Sequence, residues 1–270
     1  MLIAYARLYE DTIIKSVNDN IFDVNETNAV VDEKMGGVFN CIDVFDKTDI
    51  VITFGNLKQK KTKPNLLKGF FCENIRAFIL VDKSFKSRKS FIVNSLNNSV
   101  VAYRDIQFAS NIPKGTSIFF YLESVMFDIS SIGQSGLVIS IFNGGKNLIN
   151  EKLFLKNSNN SDLIIVSEES LNYIHQKIKK NNKVNFLSTS PESYKLFLAN
   201  GKCYEFPNPY FLGGRKFNSS VGLGDRFATI LAKKLDNEKF DLIPSKKSIW
   251  RSLLNQTSMQ LADFLNNNDR

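Results

Sequence analysis

Asn218–Leu231 reads NSSVGLGDRFATIL, and the reading of the whole chain turns on it. A polar segment enters the turn Gly222-Leu223-Gly224-Asp225, after which Phe227, Ile230, Leu231 and Leu235 fall at i, i+3, i+4 and i+8, the spacing of one buried helical stripe. Lys233 and Lys234 lie toward the negative end of that helix and read as dipole-matched surface residues. Gly222 and Gly224 carry no Cβ, so the backbone there can take positive φ and offer its N–H groups to an anion, which the helix N-terminus attracts as well. Asp225 would stand beside that anion. A carboxylate next to an anion hole built from Gly222, Leu223 and Gly224 suits phosphoryl transfer to a hydroxyl, the acid acting as base. A plain helix cap accounts for the same residues without chemistry.

The composition, 43% hydrophobic and 23% charged over 270 residues, is that of a folded chain with a sizeable core. With no internal repeat and no low-complexity linker, a single domain over residues 1–270 is expected. The chain lacks an apolar run of the roughly 18 residues that a membrane span needs, and MLIAYARLYED turns acidic too early for a signal peptide, so no membrane partner and a cytoplasmic location are expected. Cys41, Cys72 and Cys203 are odd in number and far apart, which predicts buried free thiols rather than disulfides or a zinc site. His175, the only histidine, sits in a surface-helix pattern, which argues against a histidine-based triad. The net charge of +8 concentrates at Lys58–Lys63 and Lys83–Lys89 without any nucleic-acid-binding signature. Nucleic acid is therefore not the expected partner. A basic surface suits phosphorylated ligands and equally a solvated lysine face, and a basic RNA-binding α/β protein with a coincidental GxGD stays as an outside reading.

Toward the N-terminus, Met1–Ala6 is an apolar strand with Asp11 just beyond it, and Ile13–Val31 alternates as short strands and turns do. Val38, Ile42 and Phe45, at i, i+4 and i+7, predict a helix opening at Gly36-Gly37 with Asn40 in its first turn, its amide able to donate to and accept from a sugar hydroxyl. Further strands are expected at Asp49–Phe54, Arg76–Val81, Ser117–Tyr121, Gly136–Phe142, Leu163–Val166 and Lys183–Thr189. Hairpins are expected over Phe91–Ile106 and over Lys195–Phe206, the latter turning at Asn200-Gly201, and a helix within Leu242–Leu265. This order argues for an α/β fold with a mostly parallel sheet and a small extra sheet near the N-terminus.

The parts, Asp11, then Gly36-Gly37 with Asn40, then Gly222-Leu223-Gly224-Asp225, resemble in order and spacing the ribokinase-like, or PfkB, carbohydrate kinase family over about residues 1–235. The two-residue gap between Gly37 and Asn40 is most similar to the branch that acts on heptose 7-phosphate. The resemblance implies a three-layer α/β/α ribokinase-like fold with a small β-sheet lid, its strands drawn from about 12–34 and 84–106, through which two copies would pair as a homodimer. It implies ATP- and Mg2+-dependent phosphorylation of a small-molecule sugar or sugar phosphate, with Asp225 as base, Gly222, Leu223 and Gly224 as anion hole, and Asp11, Gly36, Gly37 and Asn40 on the sugar. The family's Asn-x-x-Glu segment falls in Val166–Ser170, where Ser167 and Ser170 take its anchor positions and Glu168 and Glu169 are the carboxylates available to a metal. Its Thr-x-Gly appears as Thr189-Ser190-Pro191, and Ser219 and Val221 replace an Asp and a Thr before the GxGD turn. These departures support a second reading, a kinase-fold protein without ATP turnover that binds a sugar phosphate or serves as a regulatory subunit.

Overall fold

Apolar runs uncharged except at Arg7 form the middle of one large sheet, and runs that each carry charge form a second, smaller one. The computed structural model describes residues 1–8, 10–16, 29–35, 37–55, 66–70, 75–81, 88–94, 118–121, 136–142, 156–168, 170–171, 174, 184–210 and 222–268. In chain order the strands are β1 (Leu2–Leu8), β2 (Glu10–Ser16), β3 (Ala29–Met35), β4 (Ile50–Gly55), β5 (Leu66–Phe70), β6 (Ile75–Val81) and β7 (Arg88–Asn94). They continue with β8 (Ile118–Tyr121), β9 (Leu137–Phe142), β10 (Leu163–Ser167), β11 (Asn185–Thr189), β12 (Ser193–Phe197) and β13 (Cys203–Pro207). The large sheet has the order β13-β12-β11-β10-β9-β8-β1-β4-β5, parallel from β11 to β5 and antiparallel only at β12 and β13. The small sheet has the order β3-β2-β6-β7, with β2 and β6 parallel and the outer pairs antiparallel.

Both faces of the large sheet are covered, as a parallel sheet requires. Leu163, Ile165 and Leu187 face a cluster that includes Phe227, Leu231, Trp250 and Leu254 of two helices, α1 (Leu223–Asn237) and α2 (Lys247–Asn268). Their neighbours Ile164, Val166 and Phe186 point the other way, toward Leu171 and Ile174 on helical backbone. The period of two along each strand thus splits one sheet between two apolar layers. Helix α2 is fixed at its start by Trp250 Nε1 donating to the Pro244 carbonyl (2.6 Å), and farther along by Ser258 Oγ, 2.6 Å from the Tyr194 hydroxyl of β12.

Four expectations change. The helix predicted from Gly36-Gly37 is instead two successive 3-10 turns, Gly37–Asn40 and Ile42–Val44. Cys41 between them leaves helical geometry (φ −140°, ψ 12°), and the bonds Cys41 N to Val38 O and Val44 N to Cys41 O span three residues. The strand expected at Arg76–Val81 is present within β6, but it belongs to the small sheet, outside the lid ranges of about 12–34 and 84–106. Of the hairpin expected over Phe91–Ile106, β7 holds the first strand and pairs with β6, while residues 95–106 lie outside the described residues. Cys203, expected to be buried, is exposed on the outermost strand; Cys41 is buried as expected, and Cys72 and His175 lie outside the described residues.

A fifth change concerns α1. Its predicted stripe is buried, but so are Arg226, Thr229, Lys233 and Asp236 on another side of the helix. Lys233 is no dipole-matched surface lysine: its Nζ donates to Asp46 Oδ2 (2.8 Å) and Asp49 Oδ1 (2.9 Å), and it lies 3.7 Å from Asp236 Oδ2. Asp49 also accepts from the Leu2 and Asp46 amides, and Asp236 pairs with the Met1 α-amino group at 3.0 Å. Burial by itself would lower the Lys233 pKa, but the bonds to Asp46 and Asp49 outweigh it and raise it; the hydrogen bond from Lys233 holds the Asp46 carboxyl well below the usual carboxylate range.

Lys233→Met leaves the fully buried Asp49 carboxylate without its cation, and the expected loss in chemical denaturation is about 3–5 kcal/mol. The sign of the pH dependence is set by the two shifts. The depressed Asp46 contributes stability above the ordinary carboxylate pKa of about 4, lost as pH falls through its lower folded value; the raised Lys233 contributes below about 10.4, lost as pH climbs through its higher folded value. The stability difference between wild type and Lys233→Met should therefore be largest from neutral pH to about pH 10, and shrink toward acid, where the carboxylates left without a cation take up protons, and above that window. A difference that grew toward acid pH would contradict this network.

Candidate active site

Two contacts give the direction of α1. Near its start, Phe227 stacks on Tyr194 (centroids 5.1 Å apart), and Tyr194 pairs with Thr189, the last residue of β11. Near its end, Lys233 and Asp236 bind Asp49 and Met1, which directly precede β4 and β1. The helix therefore runs against the parallel strands, and its N-terminus lies at their carboxyl edge, where open α/β sheets form their ligand crevices.

At that N-terminus Gly222 is the N-cap, in the left-handed region (φ 82°, ψ −1°). A Cβ on it would run into Asn40, within 2.5 Å of both Cβ and Nδ2 of that side chain. Only glycine fits, for reasons of backbone conformation and of space alike. Gly224 differs: it is exposed, and a Cβ there would meet nothing within 4 Å. Between and beyond them, Leu223 and Asp225 are half-buried in the first helical turn, and the Asp225 carbonyl accepts from Thr229 Oγ1 at 2.7 Å.

The turn that carries Asn40 is held from α1. Arg226 Nη1 donates to the Asn40 carbonyl (3.1 Å) and to Asp43 Oδ1 (2.9 Å), Nη2 donates to Asp43 Oδ2, and the guanidinium lies over the Phe264 ring of α2. Residues 40–49 therefore run alongside the helix: Asn40 against Gly222, Asp43 on Arg226, Asp46 and Asp49 on Lys233. Cys41 points away into the core, where burial pushes its thiol up to about 12; nearby charges on Asp225 and Asp43 add to the shift, and a hydrogen bond with Thr229 and the charge of Arg226 oppose it. This thiol is a packing group rather than a nucleophile.

The structure thus joins Asn40 to the Gly222–Asp225 turn. Gly37 opens the same 3-10 turn as Asn40, and Gly36 lies outside the described residues. Asp11 is the second residue of β2, opposite Lys34 of β3 and beside Ala77 of β6 in the small sheet. Glu168 follows β10 and is engaged by Lys195 Nζ at 2.6 Å, a bond that holds its carboxyl below the ordinary value; Glu169 lies outside the described residues. Ser167 Oγ donates to Ser170 Oγ at 2.9 Å. Among the described residues no three His, Cys, Asp or Glu side chains gather as a metal site. Arg226, Asp43 and Lys233 were missed by the sequence reading. Their signal was the recurrence of Asn40, Asp43, Asp46 and Asp49 at every third residue, the period of a 3-10 turn.

No protein-family model matches the sequence, and comparison with curated proteins gives no match. Solved structures match over nearly the whole chain. The nucleoside kinase of Burkholderia thailandensis in complex with inosine superposes with a TM-score of 0.69 at 10% identity, covering 97% of this chain and 90% of that one. The ribokinase of Thermotoga maritima gives 0.65 at 15%, covering 98% and 92%. The fold is ribokinase-like. A sugar kinase of Pyrococcus horikoshii in complex with ATP gives 0.64 at 15% identity, covering 97% and 91%. At such identities the shared property is the ribokinase-like fold, and the site of this chain rests on its own residues.

The two glycines should separate in mutation. Gly222→Ala places a side chain in a left-handed position, at about 1–3 kcal/mol for the backbone, and also displaces Asn40. Gly224→Ala enters open space in a helix, where alanine is favoured by about 0.5–1 kcal/mol, and should hold or raise stability. Urea denaturation of the two variants checks this; equal losses would contradict the packing of Gly222 on Asn40.

Proposed function

We propose that the protein is an ATP-dependent kinase that phosphorylates a hydroxyl of a sugar or sugar phosphate. The observation that carries the reading is the packing of Gly222 on Asn40, which puts an amide side chain able to hold a hydroxyl next to the helix N-terminus whose first turn carries Asp225. The fit for a transferred phosphate is favourable: Gly224 is exposed with open space beside it, in the first turn of α1, where the backbone N–H groups and the helix dipole oppose negative charge. ATP would supply the phosphoryl group, and Mg2+ would enter chiefly on its phosphates, as this ion does where one or two carboxylates complete its shell.

Asp225 orients the acceptor hydroxyl and takes its proton as the new O–P bond forms to the γ-phosphorus of ATP and the bond from that phosphorus to the bridging oxygen breaks, with ADP as the leaving group. The amides of Gly222, Leu223 and Gly224 oppose the charge on the transferring group, and Asn40 and Gly37 hold the acceptor. Asp11 is carried over from the family resemblance as an acceptor contact, with the small sheet serving as a lid of the same domain and as the surface for pairing with a second copy. The Gly37-to-Asn40 spacing keeps a heptose 7-phosphate-like acceptor among the candidates, and the inosine and ribokinase neighbours bring nucleosides and pentoses beside it.

A second reading, a sugar-phosphate binder without turnover, draws on the Ser167–Ser170 hydrogen bond and the Glu168–Lys195 ion pair, which engage groups that a magnesium-organising segment would use. Phosphoryl transfer from Mg2+-ATP across a panel of pentoses, hexoses, heptoses, their phosphates and nucleosides separates the two. The kinase reading expects transfer to at least one acceptor and a fall in kcat of about 10²–10⁴-fold for Asp225→Asn with the melting temperature preserved. Thermal stabilisation by a sugar phosphate without any transfer would select the binder, and full activity in Asp225→Asn would remove Asp225 from the chemistry.

A further inference from the structure

Arg226 follows the candidate base directly, yet it turns away from a ligand and into the protein. Its side chain is 8% exposed; it spans from α1 to the carbonyl of Asn40 and to both oxygens of Asp43, while its flat face lies 3.3 Å from the centroid of Phe264 on α2. The buried Nε has no hydrogen-bond partner among the described residues, so the fork of Nη1 and Nη2 makes all of the polar contacts of this side chain. Two parallel bonds to one carboxylate and a third to a main-chain carbonyl fix a direction as well as a distance, which a lysine ammonium cannot do. The two groups held are 183 and 186 residues away in sequence and belong to the short turns that present Asn40.

We infer that Arg226 is a positioning residue, which sets Asn40 against the N-terminus of α1 by clamping the Asn40 carbonyl and the Asp43 carboxylate. Two short 3-10 turns joined at a residue outside helical geometry have little internal stiffness, so the place of Asn40 is decided from outside the turn. Gly222 supplies the floor on which the Asn40 side chain lies, and Arg226 supplies the tie that keeps it there. Phe264 extends the tie to the last turns of α2, so the end of that helix bears on the acceptor side of the site. The effect on the acceptor rests on the kinase reading above; the positioning of the turn does not.

The test uses the full chain with Arg226→Met, which keeps an unbranched apolar stem and removes the fork, and with Asp43→Asn, at a side chain that is 51% exposed and can be rehydrated without unfolding the protein. Hydrogen exchange followed by mass spectrometry should show residues 37–44 exchanging about tenfold faster or more in either variant, with residues 229–237 unchanged, because Lys233 still anchors that half of α1. The double variant should be no worse than the single ones, since both remove one tie. Arg226→Lys should restore part of the protection. In steady-state kinetics the acceptor KM should rise by about ten- to a hundredfold, with the ATP KM within about twofold of wild type. Unchanged exchange in 37–44, or faster exchange throughout the chain, overturns the inference. So does a rise in both KM values together. If the wild-type protein transfers phosphate to nothing, the kinase reading falls, and the exchange pattern by itself upholds or overturns the clamp.

Discussion

The space that a Cβ on Gly222 would fill is already taken by Asn40, and the rest of the site depends on that approach. Gly222 is held at φ 82° as the N-cap of α1, so the helix begins where the backbone of one motif meets the side chain of another 182 positions earlier in the chain. A larger residue would be excluded twice, by backbone conformation and by contact. On one side of the contact a helix N-terminus opens at the carboxyl edge of a parallel sheet; on the other, a pair of tight turns carries Asn40 and Asp43.

The contact survives because α1 is bound on two sides. One side is apolar: Phe227, Leu231 and Leu235 lie in the core with the inward residues of the sheet and of α2. The other side carries Arg226 and Lys233, each held by carboxylates of residues 43–49. Buried ion pairs contribute little net stability against well-packed apolar groups, and removal of one partner is costly. Their effect here is on register. An apolar stripe would tolerate a small slide or rotation of the helix, whereas a cation seated between Asp46 and Asp49 would not.

Site and stability are therefore carried by opposite ends of one helix. Lys233, Asp236 and the Met1 amine tie the C-terminal half to the starts of β1 and β4, while Gly222, Gly224 and Asp225 occupy the other end with open space beside Gly224. The charged network holds one end of the helix, and the glycine-aspartate turn stands at the other. The α/β frame is the one shared with nucleoside kinases and ribokinase at 10–15% identity, and the candidate site rests on this chain's own residues.

Local sequence was enough to determine the layered α/β class, most of the large-sheet strands, the apolar stripe of α1, the hairpin turning at Asn200-Gly201, where Gly201 takes φ 84°, and the glycine-aspartate turn. These are short-range facts: hydrophobic period, turn chemistry and missing side chains act over a few residues. Long-range packing decided the rest. Val38, Ile42 and Phe45 read as a helical face, but the carboxylates at every third residue had partners on α1 to satisfy, and two 3-10 turns present them where one α-helix would not. Lys233 reads as a dipole-matched surface charge, and nothing near Arg226 in the chain points to its partner, because the carboxylates of residues 43–49 that hold the two are 183 to 187 residues distant. Whether a charge faces water or a partner is set by what the fold brings beside it, and no window along the chain contains that information.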